Sequence, residues 1–111
     1  MKFSTSLKKN YEFKRLYNRG KSVASKYVVV YCFKNGRNEN RLGITVTTKL
    51  GGAVQRNRIR RRLKEIYRIN ESALRRGYDI VLVARMRCVD APWRELEASV
   101  LHLLQKLGLP E

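Results

Sequence analysis

Chemistry at a protein site begins with groups that carry a proton, hold a metal or pair with a charge, and this chain is rich in only one kind. It has a single histidine, His102, two cysteines, Cys32 and Cys88, and 9 scattered acids, against 25 lysines and arginines. No two acids, and no acid with the histidine, stand at a spacing that assembles a general acid with a general base. Neither cysteine has the CxxC or Cys/His spacing of a zinc site. Each lies in or just beyond an apolar run, so both read as reduced, buried thiols. Gly51-Gly52 lacks the rest of a P-loop or dinucleotide fingerprint. A single Asp contributing to a metal site stays compatible with these residues, but no catalytic residue is indicated. What recurs at regular spacing is cationic: Arg56, Arg58, Arg60, Arg61, Arg62 and Arg68, with Asn57 and Lys64 among them. An arginine fork grips phosphate oxygens bidentately and stacks on bases, so the chemistry on offer is binding of a polyanion.

Those cations need an element to present them, and Ala53 to Ile69 supplies it after the turn-like Lys49-Leu50-Gly51-Gly52. At about 100° per residue, Ile59, Leu63 and Ile66 form one apolar stripe with Tyr67 at its edge. Nearly opposite, Asn57, Arg61, Lys64 and Arg68 fall on one line, flanked by Arg56 and Arg60 on one side and Arg58 and Arg62 on the other. A basic helix face is most often merely solvated. Here Glu65 is the only acid in the stretch, and like charges at i,i+4 cost about 0.2–0.5 kcal/mol per pair. The pattern therefore favours an external polyanion.

At 111 residues the chain suits one domain, 1–111, with one core. A formal net charge of +16 points to nucleic acid or an anionic membrane. The membrane is the weaker partner, because the longest apolar run, Tyr27 to Phe33, falls far short of the roughly 20 residues of a spanning helix. The N-terminal MKFSTSLKKNYEF has no continuous apolar h-region, so the expected location is the cytoplasm.

Upstream, Asn10 is an N-cap candidate for a helix carrying Phe13, Leu16 and Tyr17 on one side and stopping at Gly20. Phe13 and Tyr17 serve either as core or, set among lysines and arginines, as a stacking platform for unpaired bases. Val23 to Phe33 reads as a strand, joined by the polar loop 35–40 to Arg41–Thr47 as a hairpin. In the second strand Leu42, Ile44 and Val46 alternate with Gly43, Thr45 and Thr47, leaving one small, polar face that is either solvated or the floor of a trough. Asp79 to Ala84, apolar on both faces, reads as an inner strand parallel to a neighbour. Asp90-Ala91-Pro92 opens a last helix whose stripe is Trp93, Leu96, Val100, Leu103, Leu104 and Leu107. The expected class is α+β, a two-layer sandwich in the order α-β-β-α-β-α, with helices on one side of a mixed sheet.

Three segments, in order, carry a family likeness: Asn10-Tyr11-Glu12-Phe13 with Gly20-Lys21; Ala53-Val54-Gln55-Arg56-Asn57-Arg58-Ile59-Arg60-Arg61; and Arg76-Gly77-Tyr78-Asp79-Ile80-Val81 closing on Ala84-Arg85. Together they resemble the bacterial ribonuclease P protein component over nearly the whole chain. The resemblance implies a fold like the second domain of ribosomal protein S5, with a left-handed strand-helix-strand crossover against the general right-handed rule. It implies a non-catalytic subunit of an RNA-based endoribonuclease that removes the 5′ leader of precursor tRNA. The implied partners are the catalytic RNA, one copy per protein, and the leader; the implied cofactor is Mg2+, bound mainly by the RNA.

Carried over by position, Arg56, Asn57, Arg58, Arg60, Arg61, Arg62, Lys64 and Arg68 would bind the catalytic RNA. Phe13, Tyr17 and Tyr31 would line a cleft for the leader, with Lys49 at its edge. One departure is Gly52, where the family usually has Asn. The competing reading is a general RNA-binding or ribosomal protein, which shares the charge and fold class but not the motif set.

Overall fold

Strand β5, Tyr78–Ala84, sets the architecture because both of its faces are apolar: Ile80, Val81 and Leu82 are all fully buried. Such a strand needs neighbours at both edges and cover on both faces, so it takes the middle of the sheet. The computed structural model describes residues 4–110; the first three positions of the stretch read above for a secretion signal lie outside it. The other elements are β1 (Ser4–Ser6), α1 (Asn10–Arg19), β2 (Lys21–Ala24), β3 (Val28–Lys34), β4 (Asn40–Thr45), α2 (Ala53–Asn70) and α3 (Trp93–Lys106). The sheet order is β1-β4-β5-β3-β2. Strand β5 runs parallel to β4 and antiparallel to β3, so α2 is the expected crossover between two parallel neighbours.

The α+β class and mixed sheet stand as expected, but four details differ. Strands β3 and β4 are not a hairpin, because β5 lies between them. The connecting loop instead spans the end of β5, where the Asn35 N–H donates to the Gly77 carbonyl at 2.8 Å and its side-chain amide to Asp79 at 3.0 Å. A local pairing preference has yielded to the burial of a two-faced apolar strand.

The true hairpin is β2–β3, inside what reads as one strand from Val23 to Phe33. Ser25 breaks that run, since its hydroxyl accepts the N–H groups of Tyr27 and Val28, both at 3.2 Å. Third, the N-terminal β1 joins β4 in parallel, and its Ser4 hydroxyl shares a hydrogen bond with the Tyr67 hydroxyl at 2.8 Å and donates to Glu71 at 3.0 Å. Fourth, the helices are not all on one side. The larger core packs α2 and α3 against Val28, Val30, Ile80 and Leu82, whereas α1 lies on the opposite face, with Leu16 against Val81.

Helix α2 starts where its sequence pattern does and runs one residue further, and its buried residues are Ile59, Leu63, Ile66 and Tyr67. Helix α3 begins at Trp93, after a short 3-10 turn, Met86–Asp90, that takes the Asp90 expected as its cap. It closes at Gly108, whose positive φ of 72° lets the Leu109 N–H return to the Leu104 carbonyl at 3.1 Å. Both cysteines are free and buried, and burial pushes each thiol above its ordinary range.

Candidate nucleic-acid interface

Helix α1 carries the aromatic candidates, and a buried cluster of charges fixes where it sits. Asn10 is its first residue rather than its cap. Glu12 closes the first turn by accepting the Lys9 N–H at 3.1 Å. The same carboxylate is paired with Arg41 of β4, whose Nε and Nη2 donate to Asp79 of β5 at 2.8 and 2.7 Å. Arg15 approaches Asp79 at 3.6 Å. Burial would raise both carboxyls, but Asp79 is held below its usual range by hydrogen bonds from Arg41 and Asn35 with the charges of Arg41 and Arg15. Glu12 is held low by the Lys9 and Lys8 N–H groups and Arg41. Glu12 and Asp79, both in the motifs behind the family likeness, thus fasten α1 across β4 and β5.

That fastening aims Phe13 and Tyr17 at the upper half of β4. Phe13 rests on Gly43, where an added Cβ would stand 2.6 Å from the ring's Cε1. The Tyr17 hydroxyl shares a hydrogen bond with the Thr45 hydroxyl at 2.9 Å, and its ring meets Tyr31 edge-on at 5.0 Å between centroids. The end of β4 and the residue that follows it therefore floor a trough. Asn10, Phe13, Lys14 and Tyr17 form one wall, Ile44, Thr45 and Val46 the floor, and Arg60 of α2 the other side. Past Phe13 the hollow continues over Gly43 to Arg61 and Lys64.

The two groups of candidate residues therefore meet at Arg60. Tyr17 is 40% exposed, which leaves a ring face free to stack. Lys49 stands exposed on a 3-10 turn, Thr48–Leu50, outside the trough lining. Asn10, Lys14 and Thr45 line the trough without having been singled out for it. Thr45 was legible as part of the small face, and Lys14 as one of the cations around the aromatics.

On α2 the eight candidates divide. Arg58, Arg61 and Lys64 are exposed, and no carboxylate pairs with them among the described residues. Arg60 donates to the Asn57 side chain at 3.0 Å and leans toward the Val46 carbonyl. Arg56 is half-buried, and its Nε is buried without a hydrogen-bond partner. Arg68 pairs with Glu65. Arg62 turns inward: it donates to the Ala91 carbonyl at 2.6 Å and lies over the Trp93 ring at 5.9 Å, pinning α2 to the start of α3. Its partners are 29 or more residues away, so nothing in the helix pattern marks it out.

Among the described residues no group of three or more His, Cys, Asp or Glu side chains could hold a metal. No described helix is long and apolar enough to cross a membrane. The surface offers phosphate-binding cations beside stacking rings.

Comparison with known proteins agrees with the motif likeness. A family model described as Ribonuclease P matches residues 1–108. The ribonuclease P protein component of Alkaliphilus oremlandii is 46% identical over 109 residues, covering 98% of this chain and 96% of that protein. That of Caldanaerobacter subterraneus is 46% identical over 107 residues, covering 96% and 92%. Among solved structures, the Staphylococcus aureus RNase P protein superposes with a TM-score of 0.87 at 36% identity, covering 96% of this chain and 97% of that one. The Thermotoga maritima RNase P protein gives 0.84 at 32% identity, covering 91% and 96%.

Proposed function

This chain belongs to the bacterial ribonuclease P protein family, and from that premise we propose that it binds the catalytic RNA through α2 and the single-stranded 5′ leader of precursor tRNA in the trough. The observation that carries this reading is the junction at Arg60, where unneutralised cations of α2 and the aromatic wall of α1 share one hollow. Two polyanions brought together repel, and cations set between them lower that cost while releasing counterions.

In the trough, extended leader bases stack on Phe13 and Tyr17, and Lys14 and Arg60 face the phosphates. Holding the leader extended places the scissile bond without any reacting group from the protein. In this reading magnesium, held mainly by RNA, supplies the hydrolytic chemistry. One protein per RNA, acting in the cytoplasm, completes it.

Reconstitution tests the reading: purified chain, ribonuclease P RNA and precursor tRNA are mixed at low magnesium. Leader removal that needs both macromolecules supports it. Cleavage by the polypeptide alone, or no stimulation of the RNA, overturns it. Phe13→Ala is expected to remove stacking worth about 1–3 kcal/mol for one base, read as weaker binding of leader-bearing tRNA with mature tRNA unaffected.

A further inference from the structure

A second cationic concavity lies at the other end of the sheet. Lys34 at the end of β3, Arg37 in the following loop, and Arg75 and Arg76 just before β5 surround it, with Tyr78 in its wall. It adjoins a hollow that adds Arg19 and Lys21 and shares Lys34 and Tyr78. The trough lies at the Gly43–Val46 end of β4, which pairs with Val81 and Val83 of β5; this concavity lies at Tyr78. At about 3.3 Å per residue the two are roughly 17 Å apart along β5. A leader seated in the trough does not fill both.

Among the described residues no ion pair holds Lys34 or Arg75. Glu39 reaches Arg37 at 3.9 Å, and the buried Asp79 is taken up by Arg41. Gly36 and Gly77, both in the lining, leave the floor without side chains, so a bulky anion can approach the backbone closely. The chain also links this concavity to α2. That helix, about 27 Å long at 1.5 Å per residue, starts at the trough end, and the turn Glu71–Ala73 leads from its last residue to Arg75 and Arg76.

We infer that this concavity is a second contact for the phosphodiester backbone of the catalytic RNA, reached along α2, and distinct from the leader trough. The inference rests on the RNA-binding reading above. Its occupant is the catalytic RNA rather than the leader, because the cations continue from the α2 face.

The test compares two variants of the full chain, Lys34→Gln/Arg37→Gln and Arg61→Gln/Lys64→Gln, with Arg75→Gln added to the first as a check. Binding to ribonuclease P RNA is measured across a salt series, and binding of precursor and mature tRNA in the reconstituted complex is measured alongside. The first variant is expected to bind the RNA roughly fivefold to tenfold more weakly. Its log–log salt slope should be shallower by about 0.7–0.9 per lost contact, with leader preference unchanged.

An unaltered affinity and slope in that variant, while Arg61→Gln/Lys64→Gln lowers both, makes the concavity a solvated surface and overturns the inference alone. Unaltered slopes in both variants overturn the RNA-binding reading of α2 as well. A loss confined to leader preference also overturns the inference, since it assigns the concavity to the substrate.

Discussion

Arginine does two different things in this molecule, and the contrast between the Arg41 cluster and the outer face of α2 shows how. Around Arg41 each guanidinium meets a carboxylate: Arg41 reaches Glu12 and Asp79, and Arg15 stands beside Asp79. On α2, Arg58, Arg61 and Lys64 lie open with no such partner among the described residues. With 9 acids against 25 lysines and arginines, most cations of the chain have no acid of their own. Glu12 and Asp79 are set where α1 has to be held in place, and Arg58, Arg61 and Lys64 face outward.

The largest expected effect tests the inner half of this contrast. Arg41→Met takes the shared guanidinium from two buried carboxylates, leaving Asp79 to Asn35 and Arg15 and Glu12 to backbone N–H groups, and should cost up to about 3–5 kcal/mol, read from the urea midpoint, whereas Arg61→Gln should leave the midpoint nearly unmoved. Equal losses in the two variants would break the distinction.

Acidity sharpens it further. Glu12 and Asp79 titrate below their unfolded values, so they contribute stability that is full above about pH 4 and is lost as pH falls through their lowered native range. In Arg41→Met burial loses one of the groups that oppose it, while the Lys9 N–H still holds Glu12 and Asn35 and Arg15 still hold Asp79, so both carboxyls should move up from their lowered range. That variant should therefore lose less stability on acidification than the wild-type chain, measurable in thermal melts over a pH series.

A middle-sized effect is expected where the two regions meet. Gly43→Ala forces the Phe13 ring off the floor of the trough, and overpacking of this kind costs about 1–3 kcal/mol. Melting temperature should fall and preference for leader-bearing tRNA should drop, with the affinity of α2 for the catalytic RNA retained. The smallest effect is on the open face. Lys64→Gln removes like-charge repulsion with Arg60 and Arg68, one turn to either side, and should stabilise the free protein by about 0.2–0.5 kcal/mol while making the salt dependence of RNA binding shallower.

Local periodicity made α2 legible in the sequence: the four residues of the apolar stripe, Ile59, Leu63, Ile66 and Tyr67, are the four it buries. The alternation of Leu42 and Ile44 with Gly43 and Thr45 marked a small, polar face but left open whether it was solvated or part of a trough. Pairing between distant segments was not legible. Strand β1 reads Ser-Thr-Ser, which leaves no apolar alternation to detect. The amphipathicity of α1 showed that it buries a face, but not that the face meets the side of the sheet opposite α2 and α3. Glu12, Arg41 and Asp79 lie 29 and 38 residues apart, beyond the reach of any local pattern.

Strand β1 pairs with β4 only as far as Leu42, so among the described residues Gly43 to Thr45 have no strand on that side. An open strand edge invites a second copy of a protein to add itself to the sheet. Here Arg60, Arg61 and Lys64 overhang that edge, and a row of like charges turns another copy away. Removing the side chains proposed to gather RNA is therefore expected to favour self-assembly, so such variants need aggregation checks before any loss of function is read as loss of binding.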